Sequence, residues 1–374
     1  MLPPGSYIPI WATSSRKEIQ IVEPKTIVTM ARAVHQRWAR VLDIAGRYRG
    51  VLAFVLVFLL GAFFTPKLPG TGVSVFLTWS TQRDTLLYYA EYGILAAGMT
   101  LVILAAGIDL SVGAVLGFSA TLFSLLLMGY GWPALPAALV TILAASAMGA
   151  LSGFVIARFR MQPFVATLGM MLVARGAAKW ICAGQKVQPG AQTWYAMQTG
   201  KPAVFDWMTT PMRPFGLQPV ILLFLVTILA LWIVVKYTRF GRHIYAIGGN
   251  EEATRLSWVN VGMVKIGAYA LCGMTAGLAG LCNASLNTLG DPEAGFTYEL
   301  DAIAAVVIGG SSLAGGKGGM FFTLLGALII AYINKILSLN NFEEPAKLMI
   351  RGSLIIVAVL IQQTLERVEN RRVK

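Results

Sequence analysis

Charged residues are scarce in this chain of 374 residues, at 13% of positions, and the acidic ones are the scarcest, with 17 Asp and Glu against 30 Lys and Arg. A soluble globular domain has about a quarter of its residues charged. Hydrophobic residues make up 56% of this chain, and its mean hydropathy is +0.68. No single water-soluble core can bury so much apolar surface, so the composition excludes an ordinary globular protein and predicts a multi-pass membrane protein.

Histidine and cysteine are also rare. The two histidines, His35 and His243, leave little for zinc binding or acid–base chemistry, and the three cysteines, Cys182, Cys272 and Cys282, form no CxxC pair. The apolar surroundings of the cysteines favour small hydrophobic side chains over a disulfide or a metal set. The sequence therefore predicts neither a metal site nor catalytic residues.

A phosphate-binding loop is missing as well. The segment GGSSLAGGKG at 309–318 resembles one, but Ser311 occupies the position of the first required glycine, and Gly318 follows Lys317 where such a loop has Ser or Thr. We therefore expect the chain to bind no nucleotide. If ATP drives this protein, another chain must hold it.

The basic residues cluster at both ends of the apolar part of the chain. They are Arg16, Lys17, Lys25, Arg32, Arg37, Arg40, Arg47 and Arg49 before it and Arg367, Arg371, Arg372 and Lys374 after it. Cytoplasmic segments of membrane proteins carry this excess, so both termini should be cytoplasmic and the number of spans even. The net charge of +13 thus indicates membrane lipid rather than nucleic acid. Apolar residues at helical spacing over 26–48 suggest either a helix on the inner leaflet or an unordered basic leader.

Ten apolar stretches can be identified, which agrees with the expected even number of spans. They lie at about 51–65, 86–106, 110–130, 133–157, 163–183, 218–236, 262–288, 299–314, 318–337 and 346–364. Alternation places 236–255 inside and 184–217 outside. The chain thus divides into a basic N-terminal tail (1–49), a transmembrane domain (50–365) and a C-terminal tail (366–374).

Glycines four residues apart recur within these stretches. The pairs are Gly113 and Gly117, Gly149 and Gly153, and Gly273 and Gly277. Small residues at this spacing let helices approach closely in lipid, so the pattern predicts a tightly packed bundle.

Several ionisable residues fall at membrane depth, where a charge costs at least about 2.5 kcal/mol. Most, including Glu91 and Arg351, lie near a predicted span end, which favours side chains that reach back to water. Asp109, in the sequence GIDLSVG, either caps a helix from Leu110 onward or has a role in transport. Arg175 either pairs with a carboxylate inside the bundle or faces the outer water.

The segment TRFGRHIYAIGGNEEATRLS at 238–257 is too polar to span a membrane. A glycine turn at Gly248 and Gly249 should lead to Asn250, a good N-cap, and acidic residues follow in the first turn. This pattern predicts a short helix parallel to the membrane that contacts another protein. The alternative is a solvated connector between two spans.

Four sequence blocks carry a family resemblance. They are GIDLSVG (107–113), PFVATLGMMLVARG (163–176), the 238–257 segment and YELDAIAAVVIGGSSLAGGKG (298–318). In this order and approximate spacing, they resemble the permease subunits of ribose-type sugar ABC importers. The resemblance implies an all-α bundle of about ten transmembrane helices in the bacterial inner membrane. It also implies that two permeases, identical or related, work with cytoplasmic ATPase subunits that hold ATP and Mg, and with a periplasmic or extracellular sugar-binding protein, while the chain itself binds no cofactor.

The resemblance also implies roles for particular residues. It places the ATPase-coupling helix at Gly249, Asn250, Glu251, Glu252, Ala253, Arg255 and Leu256, with Asn250, Glu251 and Ala253 in the part that enters the ATPase groove. It makes Asp109, Phe164, Thr167, Asp301 and Asn334 candidates for lining the translocation path.

Two features depart from the family pattern, and two other classes of protein remain alternatives. Trp258 stands where the family usually has glycine, and the long basic N-terminus has no counterpart. A self-contained secondary transporter would instead use Asp109 or Glu299 to carry protons. A membrane scaffold would use the inner helix only to recruit partners.

Overall fold

The computed structural model describes residues 50–190, 200–214 and 216–373, with no side chains described at 358, 361–363 and beyond 364. The predicted leader helix at 26–48 therefore lies outside the described residues. The described chain is helical. Its helices are α1 (Gly50–Phe64), α2 (Trp79–Leu104), α3 (Val112–Ser124, continued by a π-helical turn at Leu125–Gly129), α4 (Ala134–Phe159), α5 (Pro163–Ile181), α6 (Ala203–Thr209), α7 (Pro219–Tyr237), α8 (Arg239–Gly249), α9 (Glu251–Leu256), α10 (Val261–Asn287), α11 (Tyr298–Gly309), α12 (Met320–Leu339) and α13 (Glu344–Val373).

Local sequence signals explain where several helices begin. Proline occupies the first turn of α5 and α7, where its missing N–H costs nothing and its fixed φ suits the helix. The Thr78 hydroxyl accepts a hydrogen bond from the N–H of Thr81 and caps α2. These signals act over three or four residues, so they set helix boundaries independently of the rest of the bundle.

Seven helices of the described chain are long and apolar enough to cross a membrane, namely α2, α3 with its π-helical turn, α4, α5, α7, α10 and α12. The prediction of a multi-pass membrane protein agrees with this finding. Helix α1 is apolar but short, and α11 has only 12 residues. The count of ten spans stays a prediction.

Two predicted span boundaries are wrong. The eighth apolar stretch, at 299–314, is helical only to Gly309, because Gly310, Gly315 and Gly316 take positive φ angles that a helix cannot accommodate. The second span starts at Trp79, not near 86, so Glu91 lies in the middle of α2 and is buried. Its side chain therefore does not reach back to water.

Helix α10 is central to the bundle and packs most extensively on α4, then on α2 and α3. Glycine makes the α4–α10 contact possible. A Cβ added at Gly149 would overlap the carbonyl oxygen of Tyr269, and one added at Gly273 would overlap that of Ala145. The close helix packing predicted from the glycine spacing is confirmed for these two helices.

The outer surfaces of several long helices are apolar and exposed. Leu143 of α4 is 67% exposed, Leu172 of α5 66% and Phe63 of α1 74%. Exposed apolar surface on this scale would make a water-soluble monomer aggregate, whereas lipid solvates it favourably.

Candidate functional site

The polar segment between α7 and α10 folds into two helices joined at Asn250. Helix α8 begins after Thr238, whose hydroxyl accepts a hydrogen bond from the N–H of Gly241 at 3.1 Å. At Asn250 the backbone is extended, and its Oδ1 accepts from the N–H of Ala253 at 2.9 Å, which caps α9. The predicted short helix with an Asn250 cap is therefore present.

The predicted glycine turn at Gly248 and Gly249 is wrong, because both residues are the last helical residues of α8. Gly248 serves close packing instead. A Cβ at Gly248 would overlap the carbonyl oxygen of Leu104 and the amide nitrogen of Gly316, whereas one at Gly249 would meet nothing within 4 Å.

Charge pairs connect α9 to the bundle. The Lys265 ammonium of α10 donates to Glu251 Oε2 at 2.7 Å, and Arg255 donates to Glu251 Oε1 at 3.0 Å. The Lys265 side chain is only 18% exposed, so this pair is better shielded from water than a surface ion pair. Glu251 thus links α9 to α10, a contact that no sequence pattern indicated.

The opposite face of α9 is open to solvent. Thr254 is buried against the bundle, while Glu252 and Ala253 are exposed and the Leu256 side chain is 81% exposed. Glu252, Ala253 and Leu256 thus form a face of α9 that another protein can reach. The geometry therefore suits a docking helix.

Trp258 follows α9 in a conformation that is unusual for its residue type. Its φ is +61°, in the left-handed region, and its side chain is 98% exposed. Glycine tolerates this region without steric cost. The positive φ at this position explains why glycine suits the family pattern here. In this chain tryptophan occupies the same strained conformation.

The glycine-rich loop at 310–319 packs against α8 and the end of α2. The Tyr245 hydroxyl of α8 donates to the carbonyl oxygen of Gly318 at 2.8 Å, and the N–H of Gly316 donates to the carbonyl oxygen of Leu104 at 3.0 Å. In the described structure the glycines of this phosphate-loop look-alike thus serve backbone packing. The glycine-rich stretch was recognisable in the sequence, but the spacing of its glycines did not indicate that they pack against α8 and α2.

The five candidates for the translocation path are mostly buried in helix packing. Asp109, Thr167, Asp301 and Asn334 are each at most 6% exposed, and only Phe164, at 53%, presents an open side chain. Their role in a path stays a prediction, and in a single copy of the chain only Phe164 is accessible for it.

Asp109 holds the start of α3 in a way that differs from the prediction. Its Oδ1 accepts from the N–H of Ser111 at 2.8 Å and from the Ser111 hydroxyl at 2.6 Å. The helix begins at Val112 with Ser111 as its N-cap residue, so a helix from Leu110 onward is wrong. Asp109 forms the turn that precedes the helix.

Arg175 adopts neither of the two predicted arrangements. Its Nη1 donates to the carbonyl oxygens of Pro292 and Ala294, both at 2.7 Å. Two more basic residues reach the same segment, because Lys179 pairs with Glu293 and Lys186 pairs with Asp291. Basic side chains of α5 and of the residues after it thus hold the segment 291–294 between α10 and α11.

Two polar contacts between distant helices were not predicted. Asn283 of α10 donates to Glu91 Oε2 at 2.9 Å, and Arg351 of α13 pairs with Asp301 of α11 at 3.2 Å. Both contacts join residues that are far apart in the sequence. No local pattern could have indicated them.

A comparison with known protein families gives the class of protein. The family model described as "Branched-chain amino acid transport system / permease component" matches residues 83–359, and the chain belongs to this family. The resemblance drawn from the four sequence blocks is thereby confirmed.

Particular relatives narrow the class further. The chain is 42% identical over 286 residues to the ribose import permease protein RbsC of Escherichia coli K12, covering 76% of this chain and 86% of the relative. It is 38% identical over 280 residues to the RbsC protein of Bacillus subtilis, covering 75% and 84%. It is 31% identical over 354 residues to the xylose transport system permease protein XylH of Escherichia coli K12, covering 79% and 90%.

Proposed function

We propose that this chain is the membrane-spanning permease subunit of a sugar ABC importer. Separate cytoplasmic ATPase subunits drive it, an external binding protein delivers the sugar, and two permeases pair to form the path. The single observation that carries the mechanism is α9, a helix capped by Asn250 that has an exposed face. Membership of a family with ribose and xylose permeases supports the substrate class, and these two pentoses are the first to test.

The proposed topology has ten spans with both termini in the cytoplasm. The contacts among the end of α2, the end of α8 and the 310–319 loop support it, because alternation puts all three on the inner side. On the other side, Val187 and Gly290 bridge the segments that follow α5 and α10. Helix α11, at about 18 Å, is shorter than the hydrocarbon core of about 30 Å. The 310–319 loop would therefore complete its crossing.

Cysteine labelling tests this topology. A single cysteine at position 252 should react only from the cytoplasmic side and one at position 206 only from outside, because both side chains are exposed, at 77% and 61%. The background replaces the three native cysteines, which are buried in the structure. External labelling of position 252 would contradict the topology.

In the proposed mechanism α9 inserts into a groove of the ATPase. Ala253 lies on its exposed face, so Ala253→Arg adds bulk and charge at the contact without disturbing the buried Thr254. A few desolvated side chains usually dominate such contacts. We expect the variant to insert normally but to lose ATPase co-purification and pentose uptake, while the binding protein still captures sugar.

A matched control is Ala246→Arg, which places the same side chain at an exposed position of α8. This control should retain ATPase binding and uptake. If the Ala253→Arg variant retained wild-type ATPase association and transport, α9 would be only a connector between two spans. Uptake driven by an ion gradient without any ATPase would instead favour the secondary transporter, for which the buried Glu91 is a further candidate proton carrier.

A further inference from the structure

Three backbone segments meet at the inner end of the bundle without intervening side chains. They are the end of α2 at Leu104, the end of α8 at Gly248 and the loop at Gly315 and Gly316. The N–H of Gly316 donates to the carbonyl oxygen of Leu104 at 3.0 Å. A Cβ at Gly248 would overlap that same oxygen, and one at Gly316 would lie 2.8 Å from the amide nitrogen of Gly249. We call this contact the glycine junction.

The conformation of the loop in the glycine junction is fixed by Ser311 within the loop and by Tyr245 of α8. Gly318, at φ +134°, lies so close to Ser311 that a Cβ would overlap the serine side chain. The Tyr245 hydroxyl of α8 binds the carbonyl oxygen of Gly318 at 2.8 Å. Because this loop joins α11 to α12, a displacement of α8 would be passed to both helices.

Helix α2 is the second element reached from the junction. It packs against α10, α12, α11 and α7, and the hydroxyls of Thr100 and Thr323 connect it to α12 at 2.6 Å. Directly after α2, the turn at Asp109 and Ser111 starts α3. A close-packed backbone contact transmits displacement because it has no flexible side chain to absorb it.

From this geometry we infer that the glycine junction couples the α8–α9 segment to α2, so that movement of the docking helix opens and closes the bundle. The inference rests on the proposed function, in which an ATPase moves α9. Gly248 and Gly316 are then positioning residues that contact neither sugar nor ATP. Their absence of a side chain is what keeps the two moving parts in register.

The test uses the complete complex of permease, ATPase subunits and binding protein in proteoliposomes, with ribose as the probe. Gly248→Ala forces α8 away from Leu104 and the loop. We expect ATPase association and ATP hydrolysis to persist, while ribose taken up per ATP hydrolysed falls about tenfold, within the range of typical coupling effects. Gly262→Ala is the control, since its Cβ would have only ordinary contacts, the nearest at 3.5 Å.

A second variant keeps the test decisive if Gly248→Ala fails to insert. Tyr245→Phe removes only the hydroxyl that binds Gly318, so it adds no bulk, and it should lower the same uptake-to-hydrolysis ratio by a smaller factor. A ratio equal to that of the wild type in the inserted variants would overturn the inference. Parallel loss of ATPase binding, hydrolysis and uptake would also overturn it, because it would indicate a packing role alone. Failure of the wild type itself to associate with an ATPase and take up pentose would refute the proposed function instead.

Discussion

Replacing Trp258 with glycine should stabilise this protein, although tryptophan has the largest side chain of all residue types and glycine has none. A residue with a Cβ pays about 1–2 kcal/mol in the left-handed region that Trp258 occupies. Glycine avoids this cost but loses about 0.5–1 kcal/mol through the greater freedom of its unfolded chain. Because the Trp258 side chain is 98% exposed, little packing energy is lost. The net effect is a gain of about 0–1.5 kcal/mol in the free energy of unfolding.

Trp180 supplies a control with the same substitution and the opposite sign. It is 85% exposed but lies within helix α5. Trp180→Gly should therefore lower the free energy of unfolding by up to about 0.5 kcal/mol, because glycine costs about 0.8–1.0 kcal/mol in a helix relative to alanine and tryptophan less than about 0.7 kcal/mol.

Reversible unfolding of the purified permease in mixed detergent micelles, monitored by circular dichroism, measures both variants. The reasoning would be refuted if Trp258→Gly destabilised the isolated permease as much as Trp180→Gly does. Such a result would mean that backbone strain at position 258 is smaller than its positive φ implies.

Two further predictions concern the charge pairs on either side of the bundle. Glu251→Lys should weaken ATPase co-purification, because it places two lysines together at positions 251 and 265. Adding Lys265→Glu should partly restore co-purification, because the two inverted charges again attract each other. If co-purification is not restored, the pair does not position α9. Arg175→Met should increase hydrogen exchange of the segment 291–294, because two carbonyl oxygens lose charged hydrogen bonds worth about 1.5–3 kcal/mol each. Lys179→Met, which removes a pair that is about half exposed, should change exchange much less, and equal effects would contradict the assigned role of Arg175.

The predictions that agree with the structure rest on composition and on interactions between near neighbours. Scarce charge and long apolar stretches indicated a membrane protein without reference to any contact. The α9 cap required only Asn250 and the N–H of Ala253. Composition and interactions within one helical turn depend on the local sequence, so the sequence by itself determines them.

Several features that the sequence did not indicate concern residues whose surroundings come from distant parts of the chain. Gly248 suggested a turn, and the spacing around Gly316 and Gly318 indicated only that they form no phosphate loop. The three segments that meet at the glycine junction give these glycines their packing role. Lys265, Asn283 and Arg351 also find their partners through the packing of different helices. Lipid provides no hydrophobic drive between helices, so backbone approach and buried polar pairs select the arrangement. Because both depend on which helix faces which, only the tertiary structure decides them.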